Sequence, residues 1–344
     1  MQRGERRTVG IRPAPKLVLL LLALAVLAFG AAGCGRDDDE DSPDAAATTE
    51  DTGATTEAEE LSGKVEIDGS STVGPLTTAA AESFRGEQPN VNVTVGVSGT
   101  GGGFERFCAG ETDVSNASRP IDEEEEVPLC ADADIEYTEF QVGVDALTVV
   151  VNSENDWATC LTVEQLNKMW EPAAEGKVTN WNQIDPSFPD QALVLAGPGT
   201  DSGTFDYFTD EISGEEGASR ADYTASEDDN VTVQAVEGDP GGLGYLGYTY
   251  YEENADTLKA VEIDGGDGCV APSVDTARDG TYVPLSRPLF IYAKNESLAR
   301  PEVYGFVEYF LTNSIQLAED ALFIPVPDDL VTTNLSTLES STAR

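Results

Sequence analysis

Residues 68–75 of this chain read DGSSTVGP, residues 97–107 VSGTGGGFERF and residues 197–208 GPGTDSGTFDYF. Each stretch crowds hydroxyl side chains and glycines into a turn that ends where a helix should begin. The first N–H groups of a helix lack partners and its dipole is positive there, so an anion is stabilised at such a turn. One turn of this kind means little, because serine and threonine cap helices everywhere. Three in one chain point to a shared oxyanion site. The chemistry is holding, not turnover. The chain has no histidine, which removes Ser-His-Asp and Cys-His catalysis and histidine metal sites together. None of the three turns contains GxGxxG or GxxxxGK[ST], and TDSGT is not a G-x-S-x-G elbow. A phosphatase built on Ser202 would have no histidine to activate it. Arg119, in TDVSNASRPID, is the expected charge partner, since it leaves the same half of the chain that carries the first two turns. The plainer reading is a surface arginine offsetting the acidic run Asp122 to Glu126.

Strands and helices must hold these turns. Val65 to Ile67 reads as a short strand, and Pro75 suits the first position of a helix carrying Leu76, Ala79, Ala80 and Phe84 at helical spacing. Val91, Val93, Val95 and Val97 alternate as in a half-buried strand. The glycine run then reads as a turn, with Phe104, Phe107 and Cys108 opening the next helix. The scheme repeats with a strand at Leu193 to Ala196 and a helix starting at Thr204 to Phe208. GYLGYTYY reads as buried strand and packing surface, not as an aromatic ligand platform.

At 344 residues and 40% hydrophobic, the chain can bury a sizeable core and form two lobes. Residues 1–33 are set apart. Five basic residues precede an apolar run from Leu17 to Ala32, shorter than the ~20 residues of a spanning helix. We read a secretory signal that ends at Cys34, as in a lipobox whose cysteine is lipidated, although Ala31 stands where such motifs usually carry leucine. From there to residue 63 the chain is mostly Asp, Glu, Thr, Ala and Ser, an acidic tether unable to offset its ordering entropy. The net charge is −45, and −49 once the signal is removed, which argues against nucleic acid as a partner. Beyond Cys34, four cysteines in an exported chain favour two disulfides. Three pairings are possible, and we favour Cys108–Cys130 with Cys160–Cys269.

IDGSSTVGPLTTAAAESF, GVSGTGGGFERFCAGETDVSNASRPI and GPGTDSGTFDYFTD, in this order, resemble the periplasmic phosphate-binding proteins (PstS) of phosphate ABC importers. The likeness runs from about Lys64 to Leu330 and takes in WNQI, GGLGYLGYTYY and YVPLSRPLFIYA. It implies an α/β fold of the two-lobed periplasmic binding protein type (type II-like). Each lobe would be a mixed sheet flanked by helices, with two crossing strands as hinge. The crossings fall near Val144 and Arg287, giving lobe 1 as 64–145 and 288–335 and lobe 2 as 146–287. The implied ligand is one dehydrated inorganic phosphate, with sulfate or molybdate as alternatives. The implied partners are the permease and ATPase subunits of the importer, although a phosphate sensor without a transport role would carry the same residues. A monomer anchored by lipid on the extracytoplasmic face is expected, with no metal, no cofactor and no enzyme activity. Carried over, Thr72 and Val73 offer a hydroxyl and a backbone N–H, with Ser71 beside them. Thr100 matches the serine of the second turn, next to Gly101, and Ser202, Gly203 and Thr204 match the SGT of the third. Two positions depart from the family pattern. Pro198 stands where an arginine is common, and Arg119 where an aspartate is common. That aspartate would accept the proton phosphate keeps, so Asp201 becomes the nearest substitute, as acceptor or as the partner of Arg119.

Overall fold

The computed structural model describes residues 60–200 and 202–341. Cys34, the signal, nearly all of the acidic tether and Asp201 lie outside the described residues. Twelve strands form two sheets among those residues. Strands β1 (Gly63–Gly69), β2 (Val91–Val95) and β3 (Val114–Ala117) are parallel. The long strand β4 (Tyr137–Asn152) follows, then β5 (Cys160–Thr162), β6 (Val194–Gly197), β7 (Thr224–Ala225) and β8 (Gly242–Gly247). The last are β9 (Leu258–Ala260), β10 (Glu262–Asp264), β11 (Cys269–Val270) and β12 (Ser286–Lys294). The large sheet runs β2-β1-β3-β12-β4-β8-β6-β7 with β9 also on β4, and the small one runs β11-β10-β5.

Two strands join two cores. The antiparallel pair β4 and β12 runs from Ser286 opposite Ala146 to Lys294 opposite Tyr137. Phe140 and Val142 of β4, with Leu289 and Ile291 of β12, enter a core that includes Val65, Leu76, Phe84 and Phe306. Further along β4, Leu147, Val149 and Val151 enter a separate core with Trp170, Trp181, Phe208 and Tyr245. These strands are near-continuous apolar runs because both of their faces are covered. Disulfides join Cys108 to Cys130 and Cys160 to Cys269. No helix among the described residues is long and apolar enough to cross a membrane.

The helices that matter for the site start at the three turns. Helix α1 (Gly74–Glu87) has proline in its first turn and buries Leu76, Ala80 and Phe84. Helix α2 (Gly99–Cys108) starts earlier than its apolar pattern predicts, because the glycine run is itself helical. The reason is packing. A Cβ on Gly103 would lie 2.5 Å from the Gly69 Cα, so only a glycine lets α2 sit directly on β1. Gly99 answers a different need, with a φ of +78° that favours glycine. Helix α3 (Glu126–Asp132) is tied to α2 by the Cys108–Cys130 disulfide. After α4 (Val163–Trp170), helix α5 (Gly203–Ser213) rises from the third turn.

Candidate anion-binding cleft

Asp68 at the end of β1 organises the first two turns. Its buried carboxylate accepts from the Ser98 hydroxyl at 2.6 Å and the Gly69 N–H at 2.7 Å, and it pairs with Arg106. The Ser98 N–H in turn reaches the Gly69 carbonyl at 3.1 Å. With both turns pinned together, α1 and α2 begin side by side, and neither has a side-chain cap. Helix α5 differs, since the Ser202 hydroxyl caps it by accepting from the Thr204 N–H at 3.2 Å.

A cleft of about 760 Å³ opens in front of these helix starts. Ser70, Ser71 and Thr72 line it from the first turn, Ser98 to Gly101 from the second, and Ser118 and Arg119 from the end of β3. Asp206, Tyr207, Asp210 and Glu211 line it from α5, and Arg287 from β12. Thr100 and Ser118 share a hydroxyl–hydroxyl hydrogen bond of 3.0 Å. Val73 is fully buried behind the cleft, leaving only its backbone to contribute. Gly203 lies close to the first turn, since a Cβ there would be 3.5 Å from the Thr72 Oγ1. Ser202, Gly203 and Thr204, expected in the site, do not line this cleft, and its wall on that side is formed by the α5 residues after them.

Two arginines reach the cleft, each with its own carboxylate. Arg119 donates from both Nη atoms to the Glu126 carboxylate at 2.8 Å and from Nη1 to the Pro120 carbonyl at 3.1 Å. The bond to Glu126 raises its already high pKa, against the opposing effect of burial. Arg287 was not among the residues expected from sequence. It lies on Asp145 (Nη2 to Oδ2, 3.1 Å), its Nη2 donates to the Thr72 hydroxyl at 2.8 Å, and its guanidinium sits 3.5 Å from the Tyr207 ring centre. Burial pushes the Asp145 carboxyl up and Arg287 pulls it back, with burial the larger effect. Burial also raises Asp206, helped by Glu216, and Glu211, helped by Asp210. One signal could have revealed this pair. Asp145 interrupts the apolar run VGVDALTVVV, Arg287 opens the apolar strand SRPLFIYA, and charges in buried strands must be paired.

A family model described as a PBP superfamily domain matches residues 46–314. The phosphate-binding protein PstS of Staphylococcus saprophyticus is 40% identical over 80% of this chain and 85% of its own length. The chain belongs to the PstS phosphate-binding protein family. Members of this family bind a substrate and are not enzymes. Protein SphX of Synechocystis sp. is 48% identical over 78% of this chain and 80% of its own. Among solved structures, a possible phosphate binding protein from Planctomyces limnophilus is 46% identical with a TM-score of 0.78. It covers 82% of this chain and 99% of its own. An ABC-type phosphate transport receptor from Vibrio cholerae, 22% identical with a TM-score of 0.60 over 77% of this chain and 100% of its own, shares the fold.

Proposed function

We propose that this chain binds inorganic phosphate in the cleft and delivers it to an ABC importer from a lipid anchor at Cys34. The observation that carries the reading is the pair of uncapped helix starts, α1 and α2, meeting at one cleft lined by Ser71, Thr72, Thr100 and Gly101. The hydroxyls of Ser71, Thr72 and Thr100 line the cleft, and the helix dipoles favour an anion there. The names of the PstS relatives support phosphate as that anion. The third turn, Ser202 to Thr204 with Asp201 before it, completes the site when the halves 64–145 with 288–335 and 146–287 close about β4 and β12. Charge-assisted hydrogen bonds are worth about 1.5–3 kcal/mol each, and micromolar binding needs only about 8 kcal/mol. A handful of donors suffices.

Titration of the purified protein with phosphate and with sulfate tests the reading. Phosphate should bind at micromolar concentration or below, and sulfate about 100-fold more weakly or worse. Equal affinity for the two would make this a general oxyanion binder. Anchoring is checked separately: Cys34→Ser should move the protein from the membrane fraction to the medium.

A further inference from the structure

We infer that Arg287 is the cation that grips the ligand's oxyanion in this cleft, and that Asp145 and Tyr207 are its positioning residues. The inference rests on the phosphate reading above and adds which charge does the binding. The guanidinium is fixed on three sides. Asp145, directly opposite Arg287 across β4 and β12, accepts from Nε at 3.2 Å and Nη2 at 3.1 Å. The Tyr207 ring of α5 covers one face at 3.5 Å. Toward the cleft, Nη2 reaches the Thr72 hydroxyl at 2.8 Å and Nη1 the Ser118 hydroxyl at 3.5 Å. Ser118 in turn meets Thr100. One guanidinium therefore stands at the junction of the first turn, the second turn and α5.

Those contacts leave the donors an anion needs. Nη1 has only a long bond to Ser118, and Thr72, which accepts from Arg287, keeps its own hydroxyl proton to donate. An incoming oxyanion can take Nη1 and the Thr72 proton together without breaking the bond to Asp145. Arg119 is less available. Both of its Nη atoms are engaged by the bidentate Glu126 carboxylate, and its side chain is 46% exposed against 18% for Arg287. Glu126 and the Pro120 carbonyl together leave Arg119 only Nε and one Nη2 hydrogen for an anion, on a side chain open to solvent that would screen the contact. Of the two cleft arginines, Arg287 is the one that touches both halves, Thr72 on one side and Tyr207 on the other.

Phosphate titration of the full chain and its variants decides the matter, with melting temperature recorded for each. Arg287→Gln should weaken binding about 100-fold, and Arg287→Lys should recover part of that, because a point charge replaces the fork. Arg287→Gln strands the buried Asp145 and can cost folding, so the pair Asp145→Asn/Arg287→Gln, which leaves no lone buried charge, is the deciding variant. It should melt near the parent and still bind about 100-fold more weakly. Tyr207→Leu should lose affinity at unchanged Arg287 charge, and Tyr207→Phe, which keeps the ring, should lose less. Arg119→Gln should lose about tenfold less than Arg287→Gln. A parent that binds phosphate while the double variant binds within about threefold of it overturns the assignment alone, as does an equal loss in Arg119→Gln. A parent that ignores phosphate overturns the phosphate reading and this assignment with it.

Discussion

Thr72 occupies a position where one hydroxyl serves two neighbours. It accepts from Arg287 at 2.8 Å and lies beside Gly203. Thr72→Val keeps the shape and removes the oxygen, so phosphate binding should weaken by about 1–3 kcal/mol. Titration calorimetry reads that loss, and unchanged affinity would remove the hydroxyl from the site. Asp222 makes a separate prediction about acid stability. The buried Arg220 guanidinium beside it holds its carboxyl at about 2, down from 3.8. The unfolded chain therefore takes up this proton first as pH falls. The stabilisation is whole above about pH 4 and disappears as pH drops through about 2. Asp145, Asp206 and Glu211 are raised and act in the opposite sense, favouring the folded state in their protonated forms. Asp222→Asn should lower the melting temperature at pH 5 and flatten its fall between pH 4 and 2. A parental acid profile in the variant would mean that the ion pair contributes nothing.

At the scale of elements, the seat of α2 on β1 sets the cleft wall. Gly103→Ala gains up to about 1 kcal/mol of helix propensity. Against that, the new Cβ would lie 2.5 Å from the Gly69 Cα and 3.0 Å from the Ser115 Oγ. Backbone cannot yield as a side-chain end can, and such overpacking costs about 1–3 kcal/mol. The variant should melt lower and bind phosphate more weakly, because α2 carries Thr100 and Gly101 with it. Gly99→Ala is the control for the glycine run. No neighbour lies within 4 Å of its Cβ, so the strain is confined to its φ of +78°, roughly 1 kcal/mol. Paired melts and titrations of the two variants separate packing from backbone strain.

For the whole molecule, charge and ligand oppose each other. The net charge is −45, and Asp206, Asp210, Glu211 and Glu216 face the cleft. Both cleft arginines are matched by carboxylates, so affinity comes from donor geometry within the site and not from a positive field around it. Repulsion at long range then acts on the rate of entry. Raising ionic strength from ~0.01 to ~0.1 M shortens the Debye length from ~30 to ~10 Å. Phosphate association should speed up over that range while dissociation changes little. Stopped-flow measurement reads both rates, and an association rate that falls with salt would mean that the cleft attracts anions from a distance.

The sequence alone was enough to locate the first and third turns and the helices they start. Pro75, the Ser/Thr/Gly clusters and the spacing of Leu76, Ala80 and Phe84 act within a few residues, where propensity and capping operate. The cysteines could be read as disulfides from their number, but which sulfur meets which depends on the packed chain. The start of α2 was misplaced because a run of glycines carries no apolar pattern, and its helical state comes from the close seat on β1. The cleft's charges were decided by tertiary structure alone. Arg119 and Arg287 look alike in sequence, each followed by proline. Arg119 meets Glu126 seven residues away, whereas Arg287 meets Thr72 across 215 residues. That second contact exists because the register of β12 on β4 sets Arg287 opposite Asp145 and in front of the first turn. Strand register is fixed by the burial of whole faces over many residues, so no local motif announces which arginine will face the ligand.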